Sequence, residues 1–266
     1  MNTHSSGEVV FHTFEVLARV PGLSHAVSTR RGGVSRAPYD SLNLGLHVGD
    51  EPAAVRENRR RFASAVGFAT AQVATTRQVH GVEVRTVGRA GALAGSAAPD
   101  PAGCDGLVTH ERGVFLMGFS ADCPLVMCAD AGAGVLGLAH TGWRGAFAGI
   151  IGKTLAAMAQ LGASPESMVA AISPAIGPCC YEVGGELKDA LPEQFKTCER
   201  FFLPHGGKFL LDLPGVCRER LAAGGVREEN IESANTCSRC HEDAFFSYRS
   251  SGGRTGRYAA VIGWTD

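Results

Sequence analysis

Two kinds of hydrophobic pattern run along the chain. Val114–Phe119, Leu125–Cys128 and Val135–Ala139 are continuous apolar runs, the pattern of strands covered on both faces. Glu51–Val66 instead sets Val55, Phe62 and Val66 on one side of a helix, with Pro52 suited to its first turn. Shorter runs predict strands at His25–Thr29, ahead of a Gly32–Gly33 turn, and at Val73–Thr76, Val82–Val87, Met168–Ser173, Lys208–Leu211 and Tyr258–Gly263. Thr141–Gly145 reads as a turn and Ala146–Gln160 as a helix. Glu186–Leu191 is part of another helix, and Leu213–Ala222 is one closed by Gly224–Gly225. Strands and helices that alternate through the second half predict a buried sheet with helices packed on it. Gly88–Gly103, rich in Ala, Gly and Pro, reads as a surface loop rather than a linker, because strand patterns stand on both sides.

Composition narrows the class. The 266 residues carry 45% hydrophobic and 19% charged side chains, which excludes a disordered or fibrous chain. Twenty-five Lys and Arg against 26 Asp and Glu leave a net charge of −1, so neither nucleic acid nor a membrane surface is an expected partner. The apolar stretch Gly113–Met127 is interrupted by Ser120, Asp122 and Pro124 and falls short of the roughly 20 residues of a membrane span. Met1–Val10 has no basic start followed by an apolar run. Nine cysteines without an export signal predict reduced thiols in the cytoplasm.

Three segments carry candidate chemistry. His80 lies in the turn Gln78–Gly81, Cys123 interrupts an apolar run at Ser120–Pro124, and His140 ends the Val135–Ala139 strand ahead of the Gly-rich Thr141–Gly145. In open α/β sheets ligands gather outside the carboxyl ends of strands, and amides at the following helix start favour anions. Two imidazoles and one thiolate form a zinc ligand set with a fourth position open. Nothing local ties the three together, and each residue alone also reads as a packing or surface residue. Among the arginines, whose planar fork suits phosphate or carboxylate, Arg60 and Arg61 read as a solvated helix face, and Arg30, Arg59 and Arg144 stay open. Cys237-Ser238-Arg239-Cys240-His241 has the spacing of covalent haem attachment, a chemistry of exported proteins. A structural zinc shared with Cys179 and Cys180 lacks supporting spacing, so reduced, buried thiols are the expectation for these four.

Taken in order, STRRGGVS (Ser28–Ser35), SLNLG (Ser41–Gly45), Glu57–Arg59, QVHG (Gln78–Gly81), ADCP (Ala121–Pro124), HTGWRG (His140–Gly145), IGPCCYEV (Ile176–Val183) and FSYR (Phe246–Arg249) resemble the YfiH family. Its members have been called laccase-domain multicopper polyphenol oxidases and purine nucleoside phosphorylases. The resemblance runs from about Ser24 to Trp264. It implies a single α+β domain spanning 1–266, with mixed β-sheets sandwiched by helices in the YfiH-like manner. It implies His80, Cys123 and His140 as zinc ligands, with Cu2+ a possible occupant. It implies phosphorolysis of adenosine, inosine, guanosine and methylthioadenosine, together with adenosine deamination. Arg30 and Asn43 fall in segments that line the family's pocket, as does Arg59. Thr141 stands where the family pattern has Ala, and Cys240 and His241 lie outside that pattern. The expected roles are Cys123, His140 and Arg59 in catalysis, and Arg30, Asn43 and Arg144 in substrate binding, in a monomer that takes purine nucleoside and phosphate.

Three other readings compete. A copper-dependent polyphenol oxidase needs about ten His over several copper centres, whereas the chain has nine, with no His-x-His pair. A cysteine hydrolase that edits peptidoglycan precursors would pair Cys123 with His140 as nucleophile and base. A binding protein without turnover would leave Asp122, Cys123 and His140 as unexplained polar groups amid apolar strands.

Overall fold

The computed structural model describes residues 1–89 and 103–265; most of the loop predicted at Gly88–Gly103 lies outside the described residues. Two six-stranded mixed sheets and a three-stranded antiparallel sheet form the frame. The first large sheet runs in the order β1 (Asn2–Ser6), β2 (Val9–Thr13), β3 (Leu23–Ser28), β15 (Tyr258–Trp264), β7 (Phe115–Ser120) and β4 (Val73–Ala74). Only β4 and β7 pair in parallel within it. The second runs β14 (Ile231–Ser233), β10 (Val169–Ile172), β8 (Leu125–Asp130), β9 (Val135–His140), β6 (Gly106–Thr109) and β5 (Val84–Thr86). Its central β10–β8–β9–β6 pairings are antiparallel and its edge strands β14 and β5 are parallel. The small sheet holds β11 (Glu182–Val183), β13 (Lys208–Leu211) and β12 (Phe202–His205).

The continuous apolar runs are explained by burial on both faces. Leu116, Tyr258, Ala260 and Ile262 of the first sheet pack against Leu125, Met127, Leu136 and Leu138 of the second. The outer face of the second sheet, through Val126, Cys128, Val135 and Ala170, lies on helix residues Ile150, Leu155, Met158 and Leu221. The outer face of the first, through Ala26, Phe115, Met117 and Val261, lies on Phe62 and Ala63. The architecture is therefore a single domain of two sheets sandwiched by helices, as the resemblance implies, rather than the one sheet suggested by the alternation of elements alone.

Local signals account for the helices. The helix Pro52–Val66 begins on Pro52 and stops at Gly67, whose φ of 94° sets its N–H onto the Ala63 carbonyl at 2.9 Å. The span predicted as one helix over Ala146–Gln160 is two, Trp143–Ala148 and Ile150–Gln160, because Gly149 turns the chain through a left-handed conformation, φ 94°. The first of these opens within the expected Thr141–Gly145 turn. The N-terminal β1–β2 hairpin carries no alternation to predict it, since every residue of β1 is exposed.

One core residue makes stability depend on pH. His25, on β3, is 5% exposed and accepts the Phe14 amide on Nε2 at 2.8 Å, a bond that requires an unprotonated ring. Burial lowers its pKa to about 4 from 6.5. The unfolded chain therefore binds a proton between those values that the folded chain refuses, and stability falls as pH falls through that window. Urea unfolding should show about 2 kcal/mol less loss between pH 7 and 5 for His25→Gln than for the parent chain. Equal pH slopes would remove this role.

Candidate active site

The segments singled out for chemistry meet at one end of the sheets. His140 is the last residue of β9 and opposes Leu125 of β8. Cys123 stands in the β7–β8 turn and His80 in the loop between β4 and β5. Their ligating atoms all lie within 4.8 Å of one another. Cys123 Sγ is 3.9 Å from His80 Nε2, and the two imidazole centroids are 4.8 Å apart.

The backbone is bent to present them. His80 and Asp122 adopt φ of 60° and 101°, left-handed conformations rare outside glycine and frequent at functional sites. Each is held by a carboxylate. Asp105 accepts the amides of Val79, His80 and Gly81 at 2.8–3.0 Å and sits 2.8 Å from His140 Nδ1. It therefore orients the His140 ring, leaving its Nε2 to face the cavity, and pins the backbone of the turn that carries His80. Asp122 accepts Ser238 Oγ at 2.6 Å and the Arg249 amide at 2.7 Å, which ties the Cys123 turn to the chain near the C-terminus. Gln78 pairs its side-chain amide with both backbone groups of Phe119, at 2.7 and 2.8 Å. Gly142 has no room for a side chain, because a Cβ would lie 2.5 Å from His80 Cδ2.

The electrostatics suit a cation. Burial opposes charge on Cys123, yet His140 and His80 outweigh it and bring the thiol down to about 6. Burial likewise opposes charge on His140, and the Cys123 thiolate and Asp105 raise it to about 9. A sulfur so ready to ionise between two ring nitrogens fits a soft or borderline metal ion. The Nε2–Sγ separation of 3.9 Å is close to the roughly 3.5 Å edge expected of a tetrahedral N/S site, and Gly142 keeps that cradle free.

A cavity of about 520 Å³ opens on these three residues. Its walls bring Arg144, Arg249 and Arg257 together with the rings of Phe119, Trp143, Tyr181 and Tyr248. Of the residues expected to bind substrate, Arg144 lines it, with its guanidinium 4.1 Å over the Trp143 ring. The other two, Arg30 and Asn43, and Arg59, expected in catalysis, are placed elsewhere. Arg59 lies behind the wall, bonded to the Leu44 carbonyl at 2.9 Å and 4.7 Å over the Phe119 ring. Asn43 is fully buried and holds Gly45, Asp50 and the Arg257 amide. Arg30 joins Asp40 and the Glu242 carbonyl at a separate, more open groove. None of the three lines the cavity; their guanidinium and amide groups hold backbone carbonyls and loops around it.

Asp105, together with His47 and Arg257 of the cavity wall, is not among the residues expected from the sequence. Asp105 had one local signal, an acidic residue that opens the apolar strand β6. Arg257 stands just ahead of β15, and His47 is an isolated histidine in a loop.

The family described as multi-copper polyphenol oxidoreductase laccase matches residues 24–265. The chain belongs to that family. Among its relatives, the purine nucleoside phosphorylase YlmD of Geobacillus stearothermophilus is 38% identical over 257 residues, 92% of each chain. The purine nucleoside phosphorylase YfiH of Escherichia coli is 38% identical over 242 residues, 91% of this chain and 93% of its own. The crystal structure of the hypothetical protein YfiH from Bacillus licheniformis superposes with a TM-score of 0.89 at 30% identity and covers 98% of both chains. The laccase-domain family and the His/Cys/His donor set together suggest a bound metal ion. Among the described residues, no helix is long and apolar enough to cross a membrane.

Proposed function

We propose that the chain is a zinc-dependent purine nucleoside phosphorylase acting on adenosine, inosine, guanosine and methylthioadenosine, with a secondary adenosine deaminase activity. The observation that carries this reading is a single cavity in which a two-His, one-Cys donor set faces three arginines and four aromatic rings. In the reaction, a phosphate oxygen attacks C1′ of the ribose, the C1′–N9 bond breaks, and the purine leaves with the electron pair and takes up a proton. The products are ribose 1-phosphate and free base. Arg144, Arg249 and Arg257 hold the phosphate through charge-assisted hydrogen bonds. The aromatic walls take the purine faces and keep water from the ribose cation. His80, Cys123 and His140 would hold the ion, with Asp105 fixing the His140 imidazole and the backbone of the His80 turn. When bound, zinc supplies Lewis-acid chemistry for the departing base and for the water that deaminates adenosine.

A polyphenol oxidase fits less well. Only one donor group among the described residues contains histidine, and it contains two, too few for several coppers. Copper competes for the same donors, so the metal is assayed together with the reaction. In a cysteine hydrolase Cys123 would react with an alkylating reagent whether or not metal is present; here it should be protected until a chelator is added.

Incubation of the purified protein with adenosine tests the proposal. Adenine and ribose 1-phosphate should form only when phosphate is present, and inosine should form without it. Intact adenosine, inosine, guanosine and methylthioadenosine after incubation with metal-loaded protein and phosphate would overturn it.

A further inference from the structure

We propose that Cys179, Cys180, Cys237 and Cys240 form a second metal site, a structural one, in which four thiolates hold one zinc ion. This inference does not rest on the catalytic reading above. The four sulfurs come from segments about 60 residues apart, and all lie within 4.8 Å of one another. Cys240 Sγ is 3.5 Å from both Cys179 Sγ and Cys180 Sγ. That is far longer than the roughly 2.05 Å of a disulfide and near the edge of about 3.8 Å expected when four sulfurs sit about 2.3 Å from one ion. All four thiols are free. Cys237 and Cys240 have the C-x-x-C spacing of a zinc half-site, and the vicinal pair Cys179–Cys180 supplies the other half.

The backbone is arranged for this purpose. Ala175 and Cys237 form a parallel bridge, with the Ala175 amide on Thr236 at 3.1 Å and the Ser238 amide on Ala175 at 2.9 Å. The Gly177 amide points at Cys237 Sγ, 3.3 Å away, as amides do around metal-bound thiolates to spread their charge. Cys179 and Cys240 are exposed, so packing does not explain why four thiols gather here, whereas a shared soft cation does. The ion would staple two strips of chain that each supply wall to the main cavity, Ile176 and Tyr181 on one side and Tyr248 and Arg249 on the other.

Metal analysis of purified protein by mass spectrometry tests this. The parent chain should hold one more zinc per chain than the double variant C179S/C240S, whatever the total. The variant C123A/H140A should keep that ion, so failure of the first site and failure of this one are told apart. Should C179S/C240S not fold, the parent chain decides: its four thiols should resist a thiol reagent until an organomercurial or chelator releases zinc. Cobalt loaded into C123A/H140A should show intense thiolate-to-metal charge transfer. Equal metal content in the parent and C179S/C240S, immediate reaction of all four thiols without metal release, or a disulfide among them in the unreduced protein would overturn the proposal.

Discussion

Cys123→Ala and His140→Ala are each expected to lower kcat/KM for phosphorolysis by at least about 10³-fold, since a Lewis acid contributes several kcal/mol to the transition state and each ~1.4 kcal/mol is a factor of ten. Metal content at this site should fall in step, measured on the same preparations. The two losses should not multiply in the double variant, because both residues act through one ion. Binding that ion should also release protons near pH 7. Without metal, the Cys123 thiolate and Asp105 keep His140 protonated up to about 9, and a ligand must shed its proton before it coordinates. Metal affinity should therefore rise with pH across that range. Undiminished phosphorolysis after loss of both side chains would sink the metal-site mechanism.

The second large effect belongs to a residue that touches neither substrate nor ion. Asp105 is 2% exposed and serves three amides and one imidazole. Asp105→Asn turns a two-oxygen acceptor into one oxygen and a donor, and leaves buried N–H groups facing an NH2. It should weaken zinc binding by about 10–100-fold, the usual cost of losing a carboxylate behind a ligating histidine. It should also destabilise the fold by roughly 2–3 kcal/mol. Because Asp105 is a positioning residue, activity at saturating zinc should recover in part, whereas that of Cys123→Ala should not. A zinc affinity equal to that of the parent chain would refute the role.

Much of the frame was legible because it rests on local physics. The runs at β7, β8, β9 and β15 are apolar on both faces since each lies between a sheet and a helix layer, and Pro52 and Gly67 mark one helix by backbone preference alone. The resemblance of ordered motifs named His80, Cys123 and His140, whose ligating atoms the fold gathers within 4.8 Å. The arginines were sorted less well. A guanidinium reads the same in sequence whether or not it lines a cavity: Arg249 and Arg257 bond carbonyls and still line it, whereas Arg30 and Arg59 bond carbonyls away from it.

The class of elements, their approximate bounds and the kinds of donor atom available are thus legible from the residues alone. Which of those donors share a space depends on long-range packing. Asp105 reaches His140 across 35 positions and Asp122 reaches the Arg249 amide across 127. Cys179 meets Cys240 across 61. No periodicity of side chains carries such pairings, because periodicity reports which face of an element is covered, while long-range contacts follow from how whole sheets stack and where their connecting loops end.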